Sequence, residues 1–194
     1  MAKIGLTNFR YGILTEATDG TPTYSGVKTP GHAITCNVEV TNNDAKLYGD
    51  DVQIESDTSF SNGSVTMGID NDDIETMGEL LGHTVTTTGT GASARKTMTR
   101  NATDTAPYVG FGRVITKMVN GAYQYKVEFL YKVKFSEPSQ DNTTKGESVE
   151  FGTTEVQGSV SALANGKWSE TSVFATKQEA ITFLEGILSG SVSA

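Results

Sequence analysis

The sequence predicts a mainly β chain: a β-sandwich or half-barrel of about seven or eight strands with two flanking helices, over one domain spanning 1–194. Three observations carry this. Ala106 to Phe135 reads as one long hairpin. In its second half Tyr123, Tyr125, Val127, Phe129, Tyr131, Val133 and Phe135 alternate with Gln124, Lys126, Glu128, Lys132 and Lys134, and Leu130 is the one apolar exception. Successive strand side chains point to opposite faces, so this alternation marks a half-buried strand. Composition agrees: 21 glycines, 36% hydrophobic residues and abundant Thr and Ser suit short strands and turns better than a helical bundle. Finally, only two stretches carry helical spacing, and 194 residues suffice for one well-buried domain.

Taken in order, Phe9, Tyr11 and Ile13 form a first strand and Asp19-Gly20-Thr21-Pro22 a turn. A loop through Pro30-Gly31 leads to a second strand, with Ile34, Cys36, Val38 and Val40 inward and Thr35, Asn37 and Glu39 outward. Thr41 to Phe60 is irregular and rich in Asp, Asn and Ser, with Leu47, Tyr48, Val52 and Ile54 embedded; connectors of that length are usually functional. A third strand turns Val65, Met67 and Ile69 inward and Ser64, Thr66 and Gly68 outward. Asp70 to Leu81 is a helix. Asp70 or Asn71 caps it, and Asp72, Asp73 and Glu75 sit at the positive end of its dipole. Ile74, Met77, Leu80 and Leu81 form its stripe, and Gly82 ends it.

Thr84 to Thr105 predicts a poorly packed strand and a mobile loop. In the main hairpin, Asn120-Gly121 is a type I′ turn, because both central residues need positive φ. A two-residue loop pairs Val119 with Ala122, Met118 with Tyr123, Val114 with Val127 and Arg113 with Glu128. It sets Gly112 and Gly110 across from Phe129 and Tyr131, leaving room for those rings. Glu137-Pro138 ends the hairpin, and Ser139 to Gly146 is a polar loop. Ser148 to Leu163 and Lys167 to Phe174 predict a second hairpin around Asn165-Gly166, with Leu163 opposite Trp168. Thr176-Lys177-Gln178-Glu179 is a capping box opening the last helix, whose stripe is Ala180, Ile181, Leu184, Ile187 and Leu188.

The totals exclude several classes. Net charge is −8, and no more than two cations are adjacent (Arg95-Lys96), so there is no duplex-binding basic patch. One cysteine, Cys36, allows no internal disulfide and no cysteine metal cluster. No apolar run reaches membrane-spanning length, and Met1 to Arg10 lacks a signal core, so a cytoplasmic site of synthesis is expected. The glycosylation patterns at Asn62, Asn101 and Asn142 are then chance. No G-x-S-x-G elbow accompanies the two histidines. His32 lies in a loop and His83 is read as a helix C-terminal dipole partner. Asp70-Asn71-Asp72-Asp73 lacks the glycine and the distant Glu of a calcium loop. Asp50-Asp51 reads as a solvated turn, and Tyr123, Tyr125 and Tyr131 as core rather than a base-stacking platform. No enzymatic activity and no cofactor are expected.

Several runs resemble a known family. They are Asn42-Asn43-Asp44-Ala45-Lys46-Leu47-Tyr48, Glu55-Ser56-Asp57, Leu80-Leu81-Gly82-His83-Thr84, Ala106-Pro107-Tyr108-Val109-Gly110, Leu130 through Pro138, and Thr144-Lys145-Gly146-Glu147. With Trp168, Phe174, Thr176 and Ala180, they span nearly the whole chain in order. Together they resemble the major tail proteins of long, non-contractile-tailed bacteriophages of the phi13 type. Thr153-Thr154-Glu155 departs from the pattern by lacking an expected proline, and no immunoglobulin-like module follows the last helix.

The resemblance implies a tail-tube subunit: hexameric rings stacked helically around a channel for double-stranded DNA. The implied fold is the phage tail-tube fold, a β-sandwich with a flanking helix. The implied partners are further copies of itself and the tape-measure, tail terminator and distal tail proteins. Double-stranded DNA would pass without specific binding, and no membrane is involved. The expected place is the virion tail, assembled in the bacterial host cytoplasm. The long loop is then the contact between rings, through Leu47, Tyr48, Asp50, Asp51, Val52 and Ile54, ordering as it binds. A basic bore would hold DNA through counterion release, so an acidic or small-polar wall is expected. Thr35, Asn37, Glu39, Ser64 and Thr66 supply one. The alternative is a monomeric β-sandwich binding module of the adhesin or carbohydrate-binding type, which predicts exposed aromatics clustered on a loop.

Overall fold

The computed structural model describes residues 2–71, 73–140 and 152–191. Asp72, Asn142, the polar loop past Gln140, the Thr144–Glu147 run and the start of the strand expected from Ser148 lie outside the described residues. In chain order the elements are β1 (Ala2–Glu16), β2 (Pro22–Lys28), β3 (Ala33–Asn42), β4 (Ala45–Gly49), β5 (Val52–Asp57), β6 (Phe60–Ile69) and α1 (Ile74–Leu81). Then come β7 (Thr84–Thr88), β8 (Arg95–Thr99), β9 (Tyr108–Val119), β10 (Ala122–Phe135), β11 (Thr154–Ser161), β12 (Ser169–Phe174) and α2 (Lys177–Ser189). The described chain is thus mainly β with two flanking helices, as its composition and alternation predict. Eight strands form one antiparallel sheet in the order β2-β1-β9-β10-β11-β6-β3, with β12 also paired to β10. β4–β5 and β7–β8 are separate two-stranded ribbons.

The central hairpin forms in the expected register. Asn120 and Gly121 have φ of 50° and 81°, and Val119 pairs with Ala122, Met118 with Tyr123, Val114 with Val127, and Arg113 with Glu128. Gly112 stands opposite Phe129. A Cβ on Gly112 would lie 2.2 Å from Leu184 Cδ1 and 3.0 Å from Phe129 Cδ2, so the glycine makes room for both.

The register holds through Leu130 and Phe111 and then slips: Val133 pairs with Val109, a β-bulge that replaces the expected Gly110–Tyr131 pairing. An extra residue turns every following side chain to the other face. The odd-numbered side chains of β10 therefore do not share one face. Val127, Phe129 and Tyr131 pack under α2 with Ala180, Leu184, Ile187 and Leu188. Leu130, Val133 and Phe135 pack on the opposite side with Phe9, Tyr11, Val65, Met67, Val156 and Val160. Leu130, the exception to the alternation, belongs to this second core. The sheet is thus buried on both faces, with α1 (Met77, Leu80, Leu81) closing the second core.

Two other expectations are corrected. β11 and β12 do not pair with each other. β11 pairs with the last residues of β10 (Lys132–Phe135), and β12 with Tyr125–Leu130. They lie in line along one edge of a strand long enough to hold both. Asn165-Gly166 closes a small loop between them, with the Leu163 N–H donating to the Lys167 carbonyl at 2.8 Å. Pro22–Lys28, expected as turn and loop, is a strand. Its Tyr24 ring meets Phe129 edge-on at 5.4 Å, and its hydroxyl donates to the Tyr131 carbonyl at 3.0 Å.

Helix ends follow local chemistry. Asp73, not Asp70 or Asn71, caps α1 by accepting from the Thr76 N–H at 3.2 Å. Asp70 instead accepts from the His32 N–H, and Asn71 from the Asp73 N–H. Gly82 ends α1 at φ 76°. Thr176 and Glu179 make the expected capping box, and Gly190 ends α2 at φ 72°.

Candidate assembly surfaces

The segment between β3 and β6 is ordered, contrary to the irregular loop its composition suggests. β4 and β5 pair as a hairpin arm, reversed by Asp50 and Asp51 at φ 50° and 62°. Asp tolerates this left-handed conformation better than most residues, so the turn needs no glycine. The arm's foot is tied across: the Asn43 N–H donates to the Ser59 carbonyl at 2.8 Å, and Asp57 accepts from the Ser59 N–H at 2.9 Å. That backbone hydrogen bond holds the Asp57 carboxyl below its ordinary pKa. Beyond the foot, Phe60 stacks on Trp168 with centroids 4.4 Å apart.

Every residue of the arm strands except Gly49 is exposed. Leu47, Tyr48, Val52 and Ile54 remain 60% to 65% open to solvent. Leu47 and Gly49 share a face, Val52 pairs with Gly49, and the Ile54 side chain lies over Gly49. Leu47, Val52 and Ile54 thus make one apolar face, with Tyr48 on the other. Asp44, Asp50, Asp51, Glu55 and Asp57 against Lys46 alone give residues 44–57 a net charge of −4, half the −8 of the whole chain. An exposed apolar strip of this kind marks a candidate interaction surface.

The wall residues come together. Asn37 pairs with Thr66 and Glu39 with Ser64, so Thr35, Asn37, Glu39, Ser64 and Thr66 share one face of β3 and β6. The register extends it over β11, where Gln157 pairs with Thr66 and Ser159 with Ser64. Lys134, paired with Ser159, borders this wall on β10. The bulge places Lys132 and Lys134 there and leaves Lys126 and Glu128 on the other face, so the expected single lysine face is divided. Lys132 binds Glu16 at 2.6 Å, and both lysines lie over the Tyr108 ring. β2 and β3 end the sheet order, so each keeps one edge without a strand partner among the described residues.

Other polar groups pair with one another within the fold. Arg113 Nε donates to Glu128 at 2.9 Å and Nη1 to the Cys36 carbonyl at 3.2 Å. Burial opposes the Glu128 charge, but hydrogen bonds from Lys126 and Arg113 outweigh it and hold its carboxyl below its ordinary pKa. His83 is not the dipole partner its position suggests. Its ring bridges Asp104, at 2.8 Å from Nδ1, and Glu137, joining the ribbon's exit to the end of β10. The Asp104 hydrogen bond first, and then Glu137, raise its pKa above the ordinary 6.5. His32 pairs with Asp70 at 2.7 Å on the surface. Tyr131 is buried and Tyr125 is packed against α2's core, but Tyr123 is 56% exposed beside Met118. Among the described residues no group of three or more His, Cys, Asp and Glu side chains is placed to hold a metal ion, and no helix is long and apolar enough to cross a membrane. No protein-family model matches the chain, and no curated protein matches it.

Proposed function

We propose that this chain is the structural subunit of a bacteriophage tail tube, self-assembling into stacked hexameric rings that form the channel for double-stranded DNA delivery. The observation that carries the reading is the arm, with four large apolar side chains exposed on a strand pair that bears half the chain's net charge. Such a surface stays soluble through its acids and is buried when another copy covers it. Leu47, Tyr48, Asp50, Asp51, Val52 and Ile54 are the contact between rings.

Further support comes from the sheet. Unpaired strand edges are templates for other chains. A head-to-tail interface closes into a ring where its rotation allows and extends into a filament where it does not. The face of Thr35, Asn37, Glu39, Ser64 and Thr66 lines the channel in this reading. It offers DNA no cation on β3 or β6, and Lys132 and Lys134 stand only at its β10 border; a wall poor in cations releases few counterions and lets the backbone slide. The tape-measure, tail terminator and distal tail proteins are the partners at the tube's interior and ends. No reaction is catalysed, no cofactor is needed, and the working place is the virion tail after assembly in the host cytoplasm. Electron microscopy of the purified chain at rising concentration tests this. Rings and hollow filaments are expected; a chain that stays monomeric, or binds a glycan through exposed aromatics, defeats it in favour of the binding module.

A further inference from the structure

The β3–β6 ladder has two ends, and they carry opposite features. Asn42 pairs with Phe60 at one end, where the arm leaves. Ala33 pairs with Ile69 at the other, where the chain enters α1 and then the β7–β8 ribbon. At roughly 3.3 Å per residue the ladder sets these ends about 30 Å apart. Stacking a second copy head to tail along that axis would bring the arm of one chain to the α1 end of the next.

The α1 end offers what the arm lacks. A groove of about 340 Å³ at this end has Ile74, Met98 and Arg100 on the side of helix and ribbon, with the buried Met77 and Leu81 at its base, and Pro138, Gln140 and Thr154 also line it. Met98 is the partly exposed methionine here, and a methionine side chain adapts to the apolar surface that meets it. Residues 84–100 carry Arg95, Lys96 and Arg100 and no acid, in a chain of net charge −8. Lys96 reaches Glu75 at 2.9 Å and Arg100 reaches Glu137 at 3.3 Å, but all four side chains are about half exposed, so both pairs exchange readily. Arg95 is exposed and has no ion-pair partner among the described residues.

We infer that the groove between α1 and the β7–β8 ribbon is the acceptor for the β4–β5 arm of a second copy. Leu47, Val52 and Ile54 enter the groove, and the acids of the arm meet Arg95, Lys96 and Arg100. The contact is heterologous: each copy gives its arm from one end and receives one at the other, which extends without limit along the axis. This rests on the tail-tube reading and names the surface that the arm engages.

Cysteine cross-linking tests it. Val52→Cys and Met98→Cys are placed together in a Cys36→Ser chain, assembled and mildly oxidised, with each single-cysteine chain as control. The expected result is a ladder of covalent multimers well beyond dimer, absent from both controls. Tubes that form without a ladder show that the arm lands elsewhere and overturn the inference, leaving the tail-tube reading standing. Covalent dimers alone overturn it too, because they mark a reciprocal contact. Absence of tubes from the parent chain defeats the tail-tube reading itself. A charge exchange adds a second readout. Arg95→Glu with Lys96→Glu abolishes long tubes, and adding Glu55→Lys restores them in part; restoration by neither salt nor the exchange counts against the pairing.

Discussion

Replacing Leu47 and Tyr48 with Ser removes two exposed side chains of the arm and isolates assembly from folding. Full burial of a large aliphatic side chain contributes roughly 1.5–3 kcal/mol. Leu47 is 60% exposed in the single chain, so covering it in a tube contributes roughly 1–2 kcal/mol. The Tyr48 ring, 62% exposed, adds about as much. Each kcal/mol lost per arm weakens that contact roughly five-fold. In the proposed ring of six the arms engage together, so losing even one residue's contribution costs a stacking step roughly 6–12 kcal/mol. The folded chain loses almost nothing, because exposed positions change stability by about 0.5 kcal/mol or less. The expected outcome is an unchanged melting curve and circular dichroism with no filaments by light scattering or microscopy. Tubes at the wild-type concentration would refute the assignment of the arm; a chain that no longer folds would refute the claim that the arm stands apart from the core.

Four further outcomes follow from the same geometry. Gly112→Ala drives a methyl group against Leu184 and Phe129, so chemical denaturation should show a loss of about 1–3 kcal/mol; a neutral result would mean that α2 can lift away freely. Leu184→Ala empties the centre of the core under α2 and should cost about 2–5 kcal/mol in the same assay. Thr176→Ala deletes the capping box and should cost about 1 kcal/mol. His83 has a folded pKa raised above 6.5 by Asp104 and Glu137, so its stabilisation is complete below that ordinary value and lost as pH rises through the raised one. His83→Asn should therefore lower the melting temperature more at pH 6 than at pH 9; an equal loss at both would deny that the charged ring is what bridges the two carboxylates.

Local chemistry was readable where it acts over a few residues. Asn120-Gly121 gave the turn and with it the register through Arg113–Glu128. Thr176 with Glu179 gave the start of α2, and Gly82 the end of α1. What escaped needed knowledge of the third dimension. Nothing in Tyr131-Lys132 distinguishes a bulge from continued alternation; the single hint was Leu130, apolar on an otherwise polar face. Asn165-Gly166 carries a hairpin signal, yet both flanking strands find β10 long enough to hold them in line. The arm was hidden because Asp50-Asp51 turns without glycine and because its apolar residues alternate with no buried face. Four of its residues, Leu47, Tyr48, Val52 and Ile54, are the large apolar side chains most open to solvent in the described chain.

Cryo-electron microscopy of the purified chain at assembling concentrations addresses self-association into a conduit most directly. The account requires a hollow filament of repeating rings, with density joining the β4–β5 arm to an adjacent copy and the Thr35–Glu39 strand turned to the bore. A single particle at every concentration, or a filament whose arms hang free in solvent, would contradict it.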